Sequence, residues 1–200
     1  AGIEPGQRLE LLPYVVARGE YLQSKQPLGV SFNNPYRSGA DHFGGTGLDL
    51  KYRLASNVTL DATVNPDFGQ VELDPAVINL TAFETRFSER RAFFVEGAGI
   101  FNFSEGGPMG SVGRPPQLAY SRRIGRSPRG RVPSDAVFSQ VPNATTILGA
   151  AKVTGQVGDG WSLGILEAVT GKETGSYTTT DGEAHDILVE PAANNFIMRL

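Results

Sequence analysis

The sequence predicts an all-β fold of antiparallel strands. Two runs of strict apolar–polar alternation, 47–54 and 58–65, are joined by the short turn Ala55-Ser56-Asn57, which is the pattern of a hairpin with one apolar face. A second long alternating pair follows Thr145, and 25 Gly and 13 Pro are scattered without a period. That composition suits a turn-rich β protein and not collagen or a low-complexity chain.

Taken in order, residues 8–18 (RLELLPYVVAR) put Leu9, Leu11, Val15 and Ala17 on one face. Pro13 lacks an amide donor, which predicts an edge strand or a bulge. Residues 22–45 read as loop, punctuated by Pro27, Asn33, Asn34, Pro35, Gly39, Gly44 and Gly45. In the hairpin, Leu48, Leu50, Tyr52 and Leu54 oppose Asp49, Lys51 and Arg53; Val58, Leu60, Ala62 and Val64 oppose Thr59, Asp61, Thr63 and Asn65. The apolar face suits either a protein core or lipid.

Pro66 and Pro75 then break the sheet. Thr81 to Glu84 matches a capping box and predicts a short helix near Leu80–Phe87. Phe93 to Val95 predicts a short strand, 97–113 a glycine-punctuated loop, and Leu118 to Ile124 another strand. After Thr145, Ile147, Gly149, Ala151, Val153, Gly155 and Val157 share a face, against Thr146, Lys152, Thr154 and Gln156. Gly158-Asp159-Gly160 turns the chain, and Trp161, Leu163, Ile165 and Val169 mark a return of about ten residues, the length a tilted membrane-crossing strand needs. Lys172 to Asp186 reads as a long polar loop. A last strand opens near Asn195 and is cut at Leu200, so a fragment of a longer protein is expected.

Between the hairpin and the second pair lies Asn65 to Phe103, too long for a plain connection and too rich in Phe, Val, Leu and Ile for disorder. It carries Asp67, Glu72, Asp74, Glu84, Glu89 and Glu96 among Arg86, Arg90 and Arg91. The run from Arg114 to Arg131 adds Arg122, Arg123 and Arg126, with no lysine. Guanidinium forks hold carboxylates bidentately and tolerate partial burial, so this set predicts an internal polar network, as in a packed barrel lumen. The plainer expectation is that these charges only neutralise one another and fix the loop.

Other chemistry finds little footing. The net charge of −3 does not point to nucleic acid or to an anionic surface. With no cysteine, disulfides, thiol catalysis and thiolate metal sites are excluded. No apolar run approaches the roughly 20 residues of a membrane-spanning helix. The opening residues AGIEPGQ are no secretory leader, so a signal peptide is expected to have been removed or never included. There is no GxSxG, HExxH or Walker loop, and His42 and His185 stand apart without ligand partners at motif spacing. Asp67, Glu72 and Asp74 are a candidate calcium cluster lacking EF-hand spacing; no other cofactor is expected. A glycosidase carboxylate pair would be drawn from Glu72, Asp74, Glu84 and Glu96.

The string VNPDFGQVELDPAVINLTAFETRFSERRAFFVEG, followed by AYSRRIGR, resembles the bacterial DUF5916 family. Its corresponding strings read approximately NPDFSQVE.D, NL.AFET.F.E+RPFF.EG and YSRRIGR, and the likeness runs from about Arg8 to Leu200. Ala92 and Ser88 stand where that family often has proline. The resemblance implies a β-barrel of the outer-membrane kind, often preceded by a family 9 carbohydrate-binding domain. Some members carry a hydrolase label, for which this sequence offers no catalytic signature.

The expectation is then part of an outer-membrane-type β-barrel with an inserted loop and short-helix plug: wall strands in 1–64, an inward-folded insert in 65–131, further wall strands in 132–200. Its place would be the bacterial outer membrane, with lipid as partner and a glycan as candidate ligand, and its role uptake or handling of glycans or other nutrients. Tyr14, Tyr21, Tyr52 and Trp161 are candidates for its aromatic belts. Two alternatives remain open. One is a carbohydrate-active hydrolase using carboxylates of 65–103. The other is a soluble β-sandwich binding module, periplasmic or secreted, whose apolar face a second sheet covers.

Overall fold

A computed structural model describes residues 8–21, 34–36, 40–66, 88–101 and 119–200. Along them run β1 (Leu9–Glu20), β2 (Asp41–Ala55), β3 (Val58–Val64), α1 (Ala92–Val95), α2 (Ala98–Phe101), β4 (Phe138–Gln140), β5 (Ile147–Val157), β6 (Trp161–Thr170), β7 (Glu173–Thr178), β8 (Ala184–Glu190) and β9 (Ala193–Arg199). The fold is all-β and antiparallel. One sheet has six strands in the order β1-β2-β3-β5-β6-β9; a smaller one has three, β4-β7-β8.

The predicted hairpin forms as β2–β3, in register from Leu48↔Val64 to Ala55↔Val58. Among the described residues Pro13 sits in the edge strand β1, which pairs with β2 alone. Several expectations change. β2 opens at Asp41 and not at Gly47, because the long β1 offers Val15 to Glu20 as partners for Thr46 to Asp41. The expected strand at Phe93–Val95 is the single helical turn α1, and the part of 118–124 that is described forms a 3-10 turn at Ser121–Arg123. The polar loop 172–186 holds the hairpin β7–β8. Ile147 leaves the face it was given, because a register shift before Gly149 turns it inward, where it is 4% exposed. The helix expected near Leu80–Phe87 lies outside the described residues.

The large sheet is covered on one face only. Phe94 and Phe101 of the two short helices, with Ala119 and Ile124, pack on Ile147, Ala150, Leu166 and Ala168. The covered face also holds the polar half of the alternation: Asp61 pairs across strands with Lys152, and both are buried, as is Thr63. The other face carries the apolar half. One of its rows runs Leu9, Tyr52, Leu60, Val153, Ile165 and Met198 across all six strands. Among the described residues no element packs over it, and Val15, Trp161 and Phe196 stand 80%, 59% and 61% exposed.

The two ends of the large sheet also differ. At one end β2–β3 and β5–β6 are joined by the short turns at 56–57 and 158–160. All the long connections, 21–40, 65–146 and 171–192, leave from the other.

Candidate functional site

The covered face is where charged groups converge, and three clusters hold it. The first joins Ser88–Arg91 to the 3-10 turn. Arg91 donates from Nε to Glu89 Oε1 at 2.9 Å and from one terminal nitrogen to Glu89 Oε2 at 2.7 Å. It also reaches the carbonyls of Ser121 and Ile124 at 2.8 and 2.6 Å. Ser121 Oγ donates to Glu89 Oε2 at 2.5 Å, and the amides of Arg90 and Arg91 donate to Oε1 at 3.0 Å. The guanidinium lies 4.2 Å from the Phe94 ring centroid. Burial pushes the Glu89 carboxyl up, but the Arg91 and Ser121 hydrogen bonds outweigh it and hold the carboxyl at about 2. Arg122 adds a bond to the Ser88 carbonyl at 2.8 Å.

The second cluster joins the large sheet to α1. Lys152 of β5 is 1% exposed. Its Nζ donates to the carbonyls of Phe93 and Glu96, both at 2.6 Å, with Asp61 of β3 at 3.6 Å. It also lies 4.9 Å from the Phe93 ring centroid. Nearer solvent, Lys51 of β2 pairs with Glu96. The third ties the run after the 3-10 turn to the small sheet: Arg126 donates to Glu190 of β8 at 2.6 Å, and the Arg129 amide to the same carboxylate at 2.9 Å.

Of the residues picked from sequence, Glu89, Arg91 and Arg122 thus come together, Glu96 and Arg126 join separate clusters, and Arg90 contributes its amide. Arg123 stacks 5.9 Å from the Tyr120 ring. Asp67, Glu72, Asp74 and Glu84, with the calcium candidate among them, lie outside the described residues; among those described, no group of three or more His or acidic side chains is arranged to hold a metal. Tyr14 is not on the apolar face; it turns inward over Gly47 and donates to the Asn65 carbonyl at 3.1 Å.

Sequence reasoning missed Asp61, Lys152, Ser121 and Glu190. The alternation held a signal for two of them: with the apolar side outward, Asp61 and Lys152 must turn in. Between α1, α2, residues 119–121 and β6–β9 lies a recess of about 310 Å³, walled by Phe94, Phe101, Leu166 and Ile197 with Glu89 and Ser121 at its polar side. Glu89 is already saturated by its donors. The arrangement among the described residues holds 88–96 against the 3-10 turn and the large sheet.

The family model described as a domain of unknown function (DUF5916) matches residues 5–200. No curated protein and no solved structure matches the chain.

Proposed function

The chain belongs to the DUF5916 family, and from that premise we propose that its six-stranded sheet is a stretch of outer-membrane β-barrel wall, with the clamped segment packed behind it as a plug. One observation carries this reading: the open face is mostly apolar, with Glu167 bonded there to Asn194 as its charged exception, while the charges of β2, β3 and β5 turn to the covered face. A soluble sheet does the reverse, because exposing aliphatic rows to water costs roughly 25 cal/mol per Å². A barrel in lipid needs this polarity, since its outer face meets hydrocarbon and its lumen meets polar groups.

Further features support it. The strand β6 has 10 residues; at about 3.3 Å each and a tilt near 40°, it rises about 25 Å, the height of a barrel's apolar band. Trp161 lies by the short turns, and Tyr21 lies exposed at the opposite end, in the manner of two aromatic belts. Short turns at one end and long connections at the other follow the same plan. Six alternating strands leave β1 and β9 running oppositely, so either edge can accept an antiparallel neighbour.

Behind such a wall, the role we assign is uptake or handling of a solute, a glycan among the candidates, and not hydrolysis. Glu96, the one hydrolase candidate described, is paired with Lys51, and a glycosidase needs two carboxylates facing one bond. The test is folding of the full-length protein. It should require detergent or lipid, and its folded form should migrate differently from the boiled form on a denaturing gel. A full-length protein that stays folded and monomeric in plain buffer would overturn the proposal.

A further inference from the structure

Resting on that reading of wall and insert, we propose that Lys152 is the latch that seats the insert on the wall. The residue lies mid-sheet on β5, between Asp61 of β3 and Leu166 of β6. Its ammonium donates to two carbonyls of the α1 turn, and the Asp61 carboxylate faces it as an ion pair at 3.6 Å. Among the described residues no buried side-chain polar atom lacks a partner.

The other polar ties of α1 and α2 to the large sheet among the described residues lie nearer water. Lys51 and Glu96 are 43% and 57% exposed, and Arg199 reaches the Ile100 carbonyl at an exposed site; exposed pairs of this kind hold little. A buried ammonium is different. Replace it with an apolar side chain, and two carbonyls and a carboxylate are stranded between insert and wall. Water entering that seam satisfies them, and it can enter only if α1 lifts. Lys152 thus does more than fill the interior, because its loss favours separation.

The seam offers its own probe. A Cβ built on Gly97 would lie 3.5 Å from Thr154 Cβ, within the span of a disulfide, and residues 1–200 hold no native cysteine. The full-length protein carrying G97C and T154C is compared with the same protein carrying K152M as well. Gly97 has φ +68°, so its replacement is strained, but equally in both. Disulfide formation under a fixed oxidant should slow about tenfold or more with K152M, the effect of losing one or two kcal/mol of docking. K152M/D61L, which also removes the stranded carboxylate, should recover part of the rate.

Equal rates with and without K152M, in protein that keeps its strand circular dichroism, would overturn the latch. So would a double variant no faster than K152M alone. The wall reading is scored separately, by ion conductance in planar bilayers. Slow cross-linking without conductance leaves the latch standing and counts against the barrel; conductance that rises on K152M and falls again once the disulfide forms supports both.

Discussion

At the scale of single residues, the clamp around Glu89 has a pH signature. An ordinary glutamate titrates near 4.5, and Glu89 is held at about 2. Its folded-state value is depressed, so the unfolded chain takes the proton first. The stabilisation is whole above the ordinary value and is lost as pH falls from about 4.5 towards 2. For a side chain 13% exposed, the shift corresponds to about 3 kcal/mol. Glu89→Gln should therefore lower unfolding free energy at pH 7 by about 3 kcal/mol, and the gap to the parent should narrow from about pH 4.5 and close towards about pH 2. A gap that stays constant down to pH 2 would remove the carboxylate from the account. Arg91→Lys should cost about as much as E89Q, because an ammonium cannot span the Glu89 fork and the carbonyls of Ser121 and Ile124 together; denaturant unfolding of R91K measures this.

At the scale of elements, the strands of the large sheet were legible and the seating of the segment over it was not. Period-two alternation reports on both faces of a strand, so β2, β3, β5 and β6 could be read from the residues alone. The helical turn at Ala92–Val95 could not: Phe93 and Phe94 favour strands locally, and packing of Phe94 against Ile124 and Leu166 overrides that preference. Partners were equally hidden. Arg126 meets Glu190 across 64 residues, and Ile147 changes face through one bulge. The large sheet also has a slot for α2. A Cβ on Gly164 of β6 would fall 2.5 Å from Ile100 Cγ2 and 3.0 Å from the Phe101 ring. Gly164→Val should push α2 off the wall and lower stability by about 1–3 kcal/mol through overpacking, leaving the β5–β6 pairing intact. A changed strand signal in circular dichroism would contradict that assignment.

The whole molecule makes the strongest demand, because the wall reading fixes both which face meets lipid and which end meets which compartment. Ala62 and Ala151 face each other in register on the open side, while Thr59 faces inward with Thr154. Ala62→Arg should impair folding into lipid vesicles by about 2–4 kcal/mol if it sits near the bilayer midplane, and Thr59→Arg, toward the polar interior, by much less. The ends separate just as clearly. Outer-membrane barrels keep short turns on the periplasmic side and long loops outside. A peptide tag in the β7–β8 turn, between Asp181 and Gly182, should bind antibody on intact cells. A tag at Asp159, in the β5–β6 turn, should bind only after the outer membrane is permeabilised. The Asp159 turn closes one end of the large sheet, and the small-sheet hairpin β7–β8 lies on the connection 171–192 that leaves from the other end, so the result cannot be produced by a soluble periplasmic protein, which would hide both tags, or by a secreted one, which would show neither on washed cells. Both tags reached equally in intact cells would place the sheet upside the bilayer and not across it, and the open apolar face would then need a protein cover.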